Sequence, residues 1–298
     1  MKTMKVLIRA IVAISLIVLC AAGAHAKDPA TGAIVGFLPR EAEFIILYRG
    51  RARDLFDKNS KLKALVYIDP LSDIERQISD DYCEYLVVSK RGIPEADGYV
   101  VVKLPESLVT KYSEYIESVA DSVDEVNGRR VSVFSDSDSF IYCCFPDRNT
   151  IFWSSSQKYF DEVDSKDKKP QRNYGQPPVF FKGKKSVLYA FRNFPPEGKF
   201  PSVEICKRVK SVSVFREFDR KGFPFVISII TREDRLEDAT LISKDFGSSG
   251  LPGVKIDRKG FCKYRLSIEH IDDDAATYGR LRLLLTAGNR TANEAMGR

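Results

Sequence analysis

The stretch from Arg129 to Ser154, RRVSVFSDSDSFIYCCFPDRNTIFWS, gives the first indication of the fold. It holds three short runs rich in β-branched and aromatic residues, Arg130–Phe134, Phe140–Phe145 and Thr150–Ser154. Clusters of Ser, Asp, Asn and Pro separate these runs, and such residues favour tight turns. The stretch therefore predicts three consecutive strands joined by short turns.

Similar patterns occur on both sides of this stretch. Further strands are predicted at Glu43–Tyr48, Tyr85–Val88, Tyr99–Val102, Val187–Phe191, Val212–Phe215, Phe225–Ile230 and Tyr264–His270. The clearest helix is predicted from Leu108 to Val126, with apolar residues on one face and Asn127-Gly128 at its end. Because strand–helix units recur, we expect an α+β fold, mainly antiparallel sheets with amphipathic helices packed on one face, in two related halves.

A basic segment divides the predicted elements into two groups. Lys166–Lys185 combines many Lys and Arg residues with Pro and Gly, and the strand pattern begins again after it. The length of 298 residues fits one large domain or two modest ones. We expect an N-terminal α+β half at residues 27–165, a basic connector at 166–185 and a C-terminal α+β half at 186–298.

The first 26 residues resemble a secretory signal peptide. Lys2, Lys5 and Arg9 precede an apolar run that is too short to span a bilayer, and Ala24 and Ala26 occupy the small-residue positions of a cleavage site. We expect an exported protein, periplasmic or secreted, that begins at Lys27 and has no transmembrane segment after cleavage. An uncleaved membrane anchor and a lipoprotein modified on Cys20 are the alternatives.

The charge of the chain argues against nucleic acid as a partner. Cleavage after Ala26 removes three basic residues and lowers the formal net charge from +6 to +3. Nucleic-acid binders usually present a concentrated basic face with interleaved aromatic residues. The one dense basic segment here, Lys166–Lys185, has the composition of a solvated connector.

The cysteines are candidates for disulfides because an exported chain meets an oxidising environment. Five cysteines follow the predicted cleavage site, so at most two bridges can form among them. They are Cys83, Cys143, Cys144, Cys206 and Cys262. Cys143 and Cys144 are adjacent, and in a strand they would point to opposite faces. The alternative is that several are small buried apolar residues.

Motifs of the common enzyme classes are missing from the sequence. His270 is the sole histidine after Ala26, so zinc sites built from two or three histidines are excluded. The sequence has no G-x-S-x-G elbow, no dinucleotide fingerprint and no phosphate-binding P-loop. We therefore assign no catalytic, cofactor-binding or metal-binding residues and expect no cofactor.

Part of the chain resembles exported bacterial α+β proteins of unknown function. The resemblance rests on Leu38–Ala42, Asn127–Val133 and Phe145–Ser156, and it covers mainly residues 38–165. It implies an exported α+β protein and carries no active site across.

Three hypotheses remain open at this stage. The first is a non-catalytic binding or envelope-associated module whose partner is an envelope component, a protein or an apolar ligand. The second is an exported hydrolase that uses carboxylates, or a Cys or Ser together with His270. A third, weaker alternative is a protein retained in the membrane by its N-terminal segment.

Overall fold

A computed structural model of the chain shows one large antiparallel sheet. The described residues are 34–39, 42–51, 82–89, 97–136, 139–160, 186–194, 208–218, 225–233, 254–260 and 262–268, with the single positions 54, 62, 240, 278, 281 and 285. The predicted signal peptide, the basic connector, Cys206 and His270 lie outside these residues.

Twelve strands and one long helix make up the regular structure of the described part. The strands are β1 (Phe44–Arg51), β2 (Tyr82–Ser89), β3 (Gly98–Lys103), β4 (Ser122–Val126), β5 (Arg129–Asp136), β6 (Ser139–Asp147), β7 (Thr150–Ser154), β8 (Val187–Asn193), β9 (Val209–Glu217), β10 (Phe225–Thr231), β11 (Val254–Gly260) and β12 (Lys263–Ile268). Helix α1 spans Glu106–Val119, and a short 3-10 helix, which we call the strap, spans Ile34–Phe37.

All twelve strands belong to one sheet with the order β11-β12-β10-β9-β8-β1-β2-β3-β7-β6-β5-β4. Each neighbouring pair is antiparallel. In the middle of the sheet β1 pairs with β8, and Ile46 lies opposite Ala190. Strands from before and after the basic connector are therefore continuous in one sheet, which is mostly antiparallel as the sequence predicted.

Apolar residues cover both faces of the sheet. On the face that we call the helix face, Tyr112 and Ile116 of α1 pack with Trp153 and Cys143, and Tyr278 and the leucines at 281 and 285 join the same cluster. On the opposite face, which we call the strap face, Ile34 and Leu38 pack with Leu47, Leu86 and Val101. The central strands are buried on both sides, which explains their near-continuous apolar sequences.

The three strands predicted at 130–154 are present, but the predicted helix 108–126 is wrong in its second half. Helix α1 ends at Val119, and Ser122–Val126 forms β4, which pairs with β5. Val119, Val123 and Val126 continue the helical spacing in the sequence, while valine is also a residue type that favours strands. Pairing with β5 decides between the two, since a local pattern contains no information about that partner.

Asn127-Gly128 forms the β4–β5 turn and does not end a helix. Both residues have positive φ, 53° and 74°, which is the conformation of a two-residue type I′ turn. Asn and Gly are the residues that adopt this conformation at the lowest energetic cost. Asn-Gly occurs both at helix C-termini and in hairpin turns. The dipeptide alone therefore does not distinguish the two structures.

We expect Gly128→Ala to lower the free energy of unfolding by about 1 kcal/mol, because a Cβ is strained at positive φ. Urea unfolding followed by fluorescence measures the change. Gly36→Ala is the matched control: its Cβ would meet no atom within 4 Å. Equal effects of the two substitutions would contradict the assigned turn.

Candidate functional site

A row of polar residues crosses the strap face at one end of strands β1, β2, β3 and β7. Arg49 lies opposite Glu84, Glu84 opposite Lys103, and Lys103 opposite Thr150. All four residues are buried, with at most 9% of their surface exposed. Charged residues are rarely buried unless they are paired, so this row requires compensating contacts.

The charges in the row are paired within the row and with the hairpin beside it. Arg49 Nε lies 3.3 Å from Glu84 Oε1, and Lys103 Nζ lies 3.8 Å from Asp147 Oδ2. The alternation of positive and negative groups along the row lowers the energy of burying each one.

The strap closes over this row and is held by it. The backbone N–H of Ile34 donates to Glu84 Oε2 at 3.4 Å, and Tyr99 Oη donates to the carbonyl oxygen of Phe37 at 2.5 Å. Lys103 Nζ lies 5.7 Å from the centre of the Phe37 ring, within cation–π range. The row therefore fixes the strap on the sheet, and the strap excludes water from the row.

Burial raises the pKa of Glu84, while Arg49, the Ile34 N–H and Lys103 lower it and offset the burial only in part. A raised carboxyl pKa in a cleft often marks a general acid. Here every neighbour that contributes to the pKa is already engaged with the strap or with the sheet. We assign the row a structural role.

The sign of the Glu84 pKa shift gives a testable pH dependence. The folded chain binds this proton more tightly than the unfolded chain, so the contribution of Glu84 to stability is greatest below its ordinary pKa of 4.5 and is lost as pH rises through the raised pKa. Glu84→Gln removes the titration. We expect the unfolding free energy of the native chain, minus that of the variant, to fall as pH rises across this window. An increase would contradict the assignment.

The structure describes four of the five disulfide candidates, and none of these four forms a disulfide. Cys83, Cys143, Cys144 and Cys262 carry thiols. Cys143 belongs to the core of the helix face and Cys144 to that of the strap face, as predicted for adjacent strand residues. Burial raises the pKa of Cys83 and of Cys143, which disfavours the nucleophilic thiolate.

The end of the sheet formed by β4, β5 and β6 is the second unusual region. Strand β4 is the outermost strand on this side of the described sheet, and its first four residues are exposed. The large apolar side chains that are exposed in the described chain all lie here: Val119 (44%), Val123 (40%) and Phe140 (55%). We call strand β4 together with Val119 the β4 edge; Phe140 lies two strands away on β6.

The β4 edge is anchored to the rest of the molecule. Arg130 Nη2 lies 3.0 Å from Glu117 Oε2 of α1, which connects the hairpin to the helix. The N–H of Ser135 donates to Asp121 Oδ2 at 2.6 Å, and the N–H of Asp121 donates to the carbonyl of Val133 at 3.0 Å. These contacts hold the start of β4 in place, so its outer side is a defined surface.

The β4 edge is strongly acidic in a chain of positive net charge. Between Tyr112 and Gly128 the sequence has five acidic residues and no Lys, Arg or His. Asp121, Asp124 and Glu125 are exposed. Asp124 and Glu125 are adjacent in the strand, so their side chains project on opposite faces of the sheet.

Comparison with known proteins gives a fold relationship and no family. No protein-family model and no curated protein matches the sequence. The fold is similar to that of TP0453 in its crystal form I, with a TM-score of 0.51 and 12% sequence identity over 85% of this chain and 98% of that chain. At this identity the likeness concerns the fold alone.

Two further findings concern metal sites and membrane-spanning helices in the described residues. No group of three or more His, Cys, Asp or Glu residues in this part of the chain is placed to hold a metal ion. No described helix is long and apolar enough to cross a membrane.

Sequence reasoning missed both regions. The sequence did contain a signal for the row. Arg49, Glu84 and Lys103 are charged residues within otherwise mostly apolar strands, each near the end of its strand. The β4 edge was hidden because residues 122–126 were assigned to the helix.

Proposed function

We propose that the protein is an exported, non-catalytic binding module, periplasmic or secreted, that acts in or at the cell envelope. The β4 edge is the observation on which this proposal rests. An exposed edge strand presents unpaired backbone donors and acceptors, and proteins usually cover or shorten such edges unless a partner uses them. Of the three partner classes that the sequence left open, we propose a protein. A non-protein envelope component and an apolar ligand are not part of the proposal.

The remaining parts of the proposal come from the sequence. The positive start, short apolar run and Ala24-His25-Ala26 support export with cleavage before Lys27. The resemblance to exported bacterial proteins over residues 38–165 supports the same location. We also propose an α+β fold in which amphipathic helices pack on one face of the sheet, in two related halves.

Site-specific photo-crosslinking in the native host tests this function. A photo-reactive residue replaces Val123 in one variant and Arg148 in a control variant, since Arg148 is also strongly exposed but lies in the turn between β6 and β7 and not on β4. We expect a discrete protein adduct from position 123 and none from position 148. Equal labelling at the two positions, or no adduct at 123, would overturn the proposal. N-terminal sequencing of the same sample should begin at Lys27.

A further inference from the structure

Resting on the proposed function, we infer that the β4 edge binds an extended basic segment of a partner protein, which adds to the sheet as a new strand beside β4. Strand addition of this kind obtains affinity from main-chain hydrogen bonds and specificity from alternate side chains. Three properties of the β4 edge support the inference: the backbone groups it presents, the charge around them and the apolar contact surface.

The turn geometry determines which backbone groups face outward. A two-residue turn at Asn127-Gly128 makes its flanking residues, Val126 and Arg129, a hydrogen-bonded pair. In an antiparallel ladder such pairs alternate with pairs that do not exchange hydrogen bonds. The N–H and C=O groups of Val123 and Glu125 therefore point away from β5. They are the groups that an added strand would bind.

The charge of the β4 edge selects a basic occupant. Asp124 lies opposite Val131 and projects on the strap face, while Glu125 lies on the helix face opposite Arg130. Arg130 also pairs with Glu117 of α1, so it is shared between two carboxylates. A strand carrying two consecutive basic residues would place one beside each carboxylate, and opposite charges in cross-strand pairs are stabilising. The same carboxylates disfavour pairing of β4 with β4 of a second copy, because like charges would then face each other.

The apolar surface extends the contact beyond the backbone. Val123 projects on the helix face beside α1, where Val119 is also exposed. On the helix face, the added strand has one basic residue beside Glu125. An apolar residue two positions further along the added strand would lie on the same face and cover Val119 and Val123. The preferred segment thus has the pattern basic, basic, apolar, which places the apolar residue opposite Val123 when the first basic residue is opposite Glu125.

Peptide binding to the full mature chain, residues 27–298, tests the inference. The probe is a fluorescent, N-acetylated peptide of sequence Thr-Thr-Lys-Lys-Val-Thr-Thr, and the control has Glu-Glu in place of Lys-Lys. We expect the basic peptide to bind at least tenfold more tightly, with an affinity that falls as salt increases. The double variant Asp124→Lys/Glu125→Lys should reverse this preference. Equal binding of the two peptides would overturn the assigned charge selectivity.

Two changes separate strand addition from simple charge attraction. N-methylation of alternate peptide amides should abolish binding when it falls on the amides facing β4 and have little effect when it falls on the others. Val123→Pro should also abolish binding, because it removes an outward N–H at an edge position where proline is tolerated. Val123→Thr keeps this N–H and should therefore bind the peptide more tightly than Val123→Pro does. No dependence on the methylated position would overturn strand addition, whether or not Val123→Pro folds.

The outcomes also separate this inference from the proposed function. A protein adduct from position 123, together with no binding of the basic peptide, would leave the proposed function standing and overturn the inference. A dimer of the purified chain that Val123→Pro dissociates would show that a second copy occupies the β4 edge, which also overturns it.

Discussion

Replacing Phe152 with Ala is expected to lower the free energy of unfolding by about 4 kcal/mol. Phe152 is fully buried at the centre of an aromatic cluster on the strap face. Its ring centre lies 5.2 Å from that of Tyr99 and 5.5 Å from that of Phe160. Truncation removes these contacts and leaves a cavity that two strands and a helical turn cannot close.

Urea unfolding followed by the fluorescence of Trp153, the single tryptophan of the chain, measures this loss. Phe152→Leu should cost less than half as much, because it conserves most of the volume. Phe140→Ala is the exposed control, and we expect it to change stability by less than about 0.5 kcal/mol. A similar loss for Phe152→Ala and Phe140→Ala would show that this cluster is not the core of the strap face.

Replacing Arg49 with Leu is expected to lower the free energy of unfolding by about 3 kcal/mol, because it leaves the buried Glu84 without its nearest positive charge. The double variant Arg49→Leu/Glu84→Leu should recover most of this loss. Removing both charges also removes the energy of burying them, and an apolar pair can pack in their place.

An exposed ion pair provides the control for the Arg49–Glu84 cycle. Arg148 Nη1 lies 3.5 Å from Glu106 Oε1, but both side chains are largely exposed to water. Arg148→Leu should change stability by less than about 1 kcal/mol. If the double variant at 49 and 84 were as unstable as the sum of its two single variants, the buried pair would not be coupled.

The local elements of the fold could largely be predicted, since each strand of the β5–β6–β7 meander contains its own apolar pattern and is bounded by its own turn residues. The two strands that were misread or missed, β4 and β11, are polar. Four of the seven residues of β11 are charged, so neither alternation nor apolar content distinguishes Val254–Gly260 from a loop. Both strands gain their structure from a neighbouring strand.

The joining of the two groups of strands could not be predicted from the sequence. The register of β1 with β8, which places Leu47 opposite Tyr189, depends on residues about 140 positions apart. The polar row depends on the same long-range order, because Arg49, Glu84 and Lys103 become neighbours only when three strands are in register. The one local indication of the polar row was the presence of charged residues near the ends of apolar strands.

Amide hydrogen exchange of the mature chain tests the central claim, that the β4 edge receives an added strand, most directly. In the absence of peptide we expect the outward amides of Val123 and Glu125 to exchange quickly and that of Asp124, which faces β5, to exchange more slowly. Saturation with the Lys-Lys peptide should slow amide exchange at 123 and 125 at least tenfold. The Glu-Glu control peptide should leave the exchange rates of these two amides unchanged. Protection that appears elsewhere in the sheet, with 123 and 125 unchanged, would contradict the account.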